Sequence, residues 1–80
     1  MFINKTSGGK NNICGPHVAA RRKAMGISQR ELADRLQIAG LDVDKNAIQR
    51  IEAGLRFVTD IELSFLCRVL GLSLGELLGQ

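Results

Sequence analysis

The run Lys45-Asn46-Ala47-Ile48-Gln49-Arg50 sets two cations and two amides side by side. Cations neutralise phosphates, the amides of Asn and Gln pair with an adenine edge through two hydrogen bonds, and Lys suits the guanine edge. The competing reading is a helix whose polar residues are merely solvated. A missing carboxylate separates the two. Ile27-Ser28-x-x-Glu31-Leu32, Val58-Thr59-x-x-Glu62-Leu63 and Leu72-Ser73-x-x-Glu76-Leu77 each read as a capping box inside a hydrophobic staple. Val43-Asp44-x-x-Ala47-Ile48 keeps the cap and the staple but places Ala where the others have Glu. A Glu in that first turn would repel a polyanion; without it, the turn is open to one.

Other chemistry finds little support. His17 is the single histidine and lies three residues after Cys14, too few ligands for a closed metal shell. It reads as a surface residue. No nucleophile–base–orienter set is present, since Ser28 and Ser73 serve as caps, so an enzyme is not expected and no catalytic residue is assigned. Cys67 falls in an apolar stripe and reads as a small buried hydrophobe. No metal, cofactor or small-molecule ligand is expected.

Eighty residues allow one small domain, whose stability must rest on caps and helix packing. Trp and Tyr are absent, Pro16 is the only proline, and strand-favouring residues are few. An all-α fold follows, a compact bundle of five short helices. The net charge of +3 is uneven: ten Lys/Arg face five Asp/Glu over residues 1–56, but one faces three over residues 57–80. A basic front and a mildly acidic tail suit an anionic partner at one end. No signal peptide or membrane-spanning run is visible, which makes a reducing cytoplasm the expected compartment.

Residues 1–13 are polar and rich in Gly and Asn, and read as a flexible arm ahead of a domain over residues 14–80. A first helix is expected from Pro16 to Met25, stopped by Gly26, with Arg22 snorkelling from a thin stripe of Val18 and Met25. A second runs from the Ser28 cap to Ile38, ended by Gly40. Asp44 caps a third, which faces Ile48 and Ile51 inward and closes at Gly54. A fourth opens at Thr59 with Leu63, Leu66, Cys67 and Leu70 on one stripe, and Ser73 caps a short fifth.

Three stretches in this order carry a family resemblance: Gly26-Ile27-Ser28-Gln29-x-Glu31-Leu32-Ala33, Ile48-Gln49-Arg50-Ile51-Glu52-Ala53-Gly54 and Leu70-Gly71-Leu72-Ser73-Leu74. Over residues 15–78 the chain resembles the lambda-repressor-like helix-turn-helix DNA-binding domains of Cro and phage-repressor type. The resemblance implies that the second and third helices form the reading unit, with the start of the third in the major groove. It assigns base edges to Lys45, Asn46 and Gln49. It implies a phosphate contact for Gln29, which also braces the reading helix, and for Arg56, which follows Gly54. Arg50 is expected on phosphate too, with an ion pair as its structural competitor. Glu52 matches a position that pairs with an arginine of a neighbouring helix, here Arg35 or Arg22.

Two departures stand out. The stretch from Leu36 to Asp44 is about five residues longer than the tight turn usual in the family, so an extended second helix is expected. Arg21 stands where the family usually has Leu or Ala, and with Arg22 and Lys23 it forms a basic cluster; Arg21 and Lys23 join the expected phosphate contacts. Ile61 and Phe65 lie on the back of the fourth helix. With Leu74 and Leu78 they are the expected surface of a homodimer that reads a palindromic operator as a repressor. The alternative is an antitoxin-like module that clasps a protein and binds DNA secondarily.

Overall fold

The computed structural model describes residues 4–80, and its order of elements is α1 (Gly15–Ala24), α2 (Gln29–Ala39), α3 (Lys45–Glu52), α4 (Asp60–Leu70) and α5 (Leu74–Leu78). No strand occurs among the described residues, and none of these helices is long and apolar enough to cross a membrane. The fold is all-helical, as expected.

Local chemistry sets the helix starts. Ser28, Asp44, Thr59 and Ser73 each accept a hydrogen bond from the amide three residues on, at 3.0, 2.8, 3.2 and 3.1 Å. Glu62 and Glu76 reach back to the Thr59 and Ser73 amides at 2.9 and 3.0 Å, closing two full capping boxes. The box expected at Ser28 is only half formed. Glu31 turns away to Arg35, one turn further along, at 2.8 Å. A charged donor there outcompetes the neutral Ser28 amide. At the other end of α2, Gly40 takes the left-handed conformation at φ 116°, which a β-carbon would strain. The helix gains its expected extra turn past Leu36, and Ile38 on that turn is 88% exposed.

Val18, Leu32, Ala33, Leu36, Ile48, Ile51, Leu66, Leu70 and Leu77 form the centre of one core, with Cys14, Ile27 and Val43 sealing its edges. The α2–α3 pair packs together, α1 lies across α3 and α4, and α5 closes the end formed by α1 and α4. The cysteine expectation needs correcting. Cys67 is only half-buried at the edge of the α4 stripe; Cys14, just ahead of α1, is the fully buried one. Burial pushes its thiol up to about 11, so it is protonated at neutral pH.

The segment read as a free arm is partly docked. Residues 1–3 lie outside the described residues, but Asn11 and Asn12 grip the end of α3. The Asn12 amide donates to the Ile51 and Arg56 carbonyls at 3.2 and 2.7 Å, and its oxygen accepts from the Gly15 amide at 2.9 Å. Gly15 is needed there: a β-carbon would overlap the Ile51 carbonyl oxygen.

Candidate nucleic-acid interface

Ile48 and Ile51 are buried, and that fixes which side of α3 faces out. At about 100° per residue, the opposite face runs in the order Lys45, Gln49, Asn46, Arg50. All four are exposed. No carboxylate pairs with Lys45 or Arg50 among the described residues, so the ion-pair competitor considered for Arg50 does not form there. The first turn of α3 carries no acidic side chain beyond its Asp44 cap.

Asn46 stands on a ridge between two clefts. On the α2 side the wall is Arg30, Ala33, Asp34 and Gln37, with Lys45 at the rim. On the other side it is Arg50, Leu55, Arg56, Phe57 and Thr59. Arg30 escaped the sequence reading, although it follows Gln29 in the first turn of α2. The sequence signal was present, a cation beside Gln29 in the first turn of α2, but nothing local shows that it shares a cleft with Asn46.

The opposite end of α3 is held by a buried ion pair. Glu52 accepts from Arg22 Nε and Nη2 at 2.7 and 3.1 Å and from Gln29 Nε2 at 3.0 Å. A further Arg22 nitrogen donates to the Ile27 carbonyl at 2.9 Å. Arg22 therefore does not snorkel into water: its side chain is 12% exposed, against 8% for Glu52. One carboxylate ties α1, the start of α2 and the end of α3 together, and it chooses Arg22, not Arg35. Gln29 performs the bracing half of its expected role; its amide nitrogen is already engaged by Glu52.

Two expected phosphate contacts are bound elsewhere. Arg21 Nε donates to the Leu70 carbonyl at 2.8 Å, capping the C-terminus of α4. Arg56 turns onto Glu62, with 2.7 Å between Nη1 and Oε2, outside good hydrogen-bond geometry. Burial opposes ionisation of Glu62, but the Thr59 amide and the Arg56 guanidinium outweigh it and hold the carboxyl below its usual range. Lys23 is exposed in the last turn of α1 and joins no ion pair among the described residues. Among those residues no cluster of His, Cys, Asp and Glu is suited to a metal ion.

The four residues expected at a subunit contact also divide. Ile61 and Leu74 are 65% and 52% exposed. Phe65 is half-buried beside Gly40, with the Arg68 guanidinium 5.2 Å above its ring. Leu78 is half-buried and faces a cavity walled by residues 4–6 and 10–14 together with Val58 and Leu63.

Comparison with known proteins agrees with this geometry. A family profile described as Helix-turn-helix matches residues 18–77. The chain belongs to that family, the DNA-binding lambda-repressor and Cro type. Among solved structures it is similar to the restriction-modification controller protein C.AhdI from Aeromonas hydrophila, with 26% identity and TM-score 0.69, over 80% of this chain and 86% of that one. It is also similar to the clp gene regulator ClgR from C. glutamicum, with 25% identity and TM-score 0.72, over 85% and 82% of the two chains. The hypothetical transcription factor NHTF from Neisseria shares the fold at 16% identity and TM-score 0.74, over 98% and 85%. No curated protein matches.

Proposed function

We propose that this protein is a sequence-specific transcriptional repressor that binds double-stranded DNA as a homodimer. Its single strongest support is the exposed face of α3, where Lys45, Gln49, Asn46 and Arg50 have no carboxylate partner among the described residues while Glu52 braces the far end. Lys45, Asn46 and Gln49 read base edges. Arg50, Arg30 on the other side of the Asn46 ridge and Lys23 at the end of α1 meet phosphates. Gln29 contributes by holding α3, and Arg21 acts in the fold. One α3 covers only a few base pairs, so two copies on a palindromic operator join two weak events into one useful affinity. The regulatory neighbours named above point the same way, and a cytoplasmic location fits such a role. No enzymatic step is assigned.

The test is selection of bound duplexes from a random pool, followed by titration of variants. Asn46→Ala and Gln49→Ala should each relax base preference by roughly 1–3 kcal/mol per lost bidentate contact. Binding to unrelated DNA should barely move, because neither side chain is charged. Full retention of sequence preference in both variants would show that α3 does not read the groove.

A further inference from the structure

The link between α3 and α4 is held from both sides. Its Leu55 amide donates to the Arg50 carbonyl at 2.9 Å, while Asn11 and Asn12 donate to the Leu55 and Arg56 carbonyls at 2.9 and 2.7 Å. Burial then alternates along it: Arg56 and Val58 turn inward, Leu55 and Phe57 outward. Each of the outward pair is 59% exposed. A fixed loop that presents two large apolar side chains to water gains nothing from them inside the fold. Both line the cleft of about 680 Å³ that also holds Asn46 and Arg50, together with Arg56 and two carboxylates, the Asp44 that caps α3 and the Glu62 that faces Arg56.

We propose that Leu55 and Phe57 form an apolar contact with the duplex, against deoxyribose C–H faces or a thymine methyl on the flank of the base pairs that α3 approaches. This rests on α3 entering the major groove as proposed above. The cleft is continuous with the reading face, and the strand on its loop side must pass the Arg50–Phe57 wall. A cation beside an apolar pair matches the alternation of phosphate and sugar along that strand. The loop is already ordered, so little conformational entropy is lost when the contact forms.

The experiment titrates a selected operator duplex with the wild type, Leu55→Ala/Phe57→Ala, Phe57→Leu and Asn46→Ala across a range of salt. The double variant should bind roughly tenfold more weakly with an unchanged salt slope, since no charge is lost. Phe57→Leu should recover most of that loss, and melting curves should show an intact fold because both side chains are largely outside the core. A duplex with uracil in place of thymine distinguishes the sources: a deficit that vanishes there marks the methyl group, and one that persists marks the sugar. Unchanged affinity of the double variant, while Asn46→Ala still loses preference, would overturn the apolar contact and leave the reading of α3 standing. A shallower salt slope, or a weakened dimer in sedimentation, would also overturn it, the latter assigning the pair to a subunit contact. Failure of the wild type to prefer any duplex would instead remove the functional reading itself.

Discussion

Arg50 and Arg56 have the same chemistry and look alike in the sequence, yet they sit in different circumstances. Arg50 is exposed without a carboxylate partner among the described residues, whereas Arg56 lies against the buried Glu62. Arg50→Ala should therefore leave stability almost unchanged and reduce the magnitude of the salt slope of DNA binding by about 1. Arg56→Ala should cost roughly 1–3 kcal/mol of folding stability by leaving the buried Glu62 carboxylate without its ion-pair partner, and equilibrium denaturation measures it. Acid should do the same more gently. Glu62 is held below its ordinary value of 4.5 in the fold, so its contribution is present above that pH and fades as the pH falls through the lowered value. Glu62→Gln should flatten that part of the stability–pH curve; an unaltered curve would mean that other carboxylates dominate it.

At the level of the helices, caps and stops were the legible part. Ser28, Asp44, Thr59 and Ser73 begin the expected helices because a hydroxyl or carboxylate three residues before an amide is a local device. Contacts between distant residues were not legible. Nothing near Arg21 announces the Leu70 carbonyl, and nothing near Glu62 announces Arg56. Glu31 was misread because a helix offers its carboxylate two partners, and only the competition between them decides. On the face of α3 proposed to read bases, the exposure of Lys45, Asn46, Gln49 and Arg50 followed from the spacing of Ile48 and Ile51, whereas Arg30 needed the packing of α2 on α3 to be seen. The absent Glu at Ala47 carries its own prediction. Ala47→Glu should complete the box on Asp44 and leave helix content intact. It should weaken binding to any duplex at low salt, because a carboxylate then lies in the turn proposed to approach the phosphates. Equal or tighter binding would refute that role for the turn.

For the whole molecule, the proposed dimer raises the question of where a second copy would dock. Phe65 is committed to the side of Gly40, and Leu78 lies toward residues 10–14, which leaves Ile61 and Leu74 as the more accessible apolar residues of the expected surface. Beside Leu74, Leu63, Ser64, Cys67 and Leu72 form a shallow cleft along α4 and α5. Ile61→Asp should shift sedimentation toward monomer and lower operator affinity, with little change in helical content. Phe65→Asp should instead destabilise the fold, because it removes a packing contact. A fully dimeric Ile61→Asp protein would place the interface elsewhere.

Asn12 also bears on the order in which the molecule is made. Its partners Ile51 and Arg56 lie 39 and 44 positions further along, so during synthesis Asn12 is made well before either partner. A contact between residues so far apart carries a loop-closure cost that must be met before it forms, so this clasp is expected to close late in folding. Interactions absent from the transition state govern how long a native molecule lasts and have little effect on how fast it forms. In stopped-flow measurements, Asn12→Ala should accelerate unfolding while the refolding rate barely changes. On that expectation the clasp sets lifetime more than folding speed: without it, the end of α3 and the loop beyond it should come apart sooner.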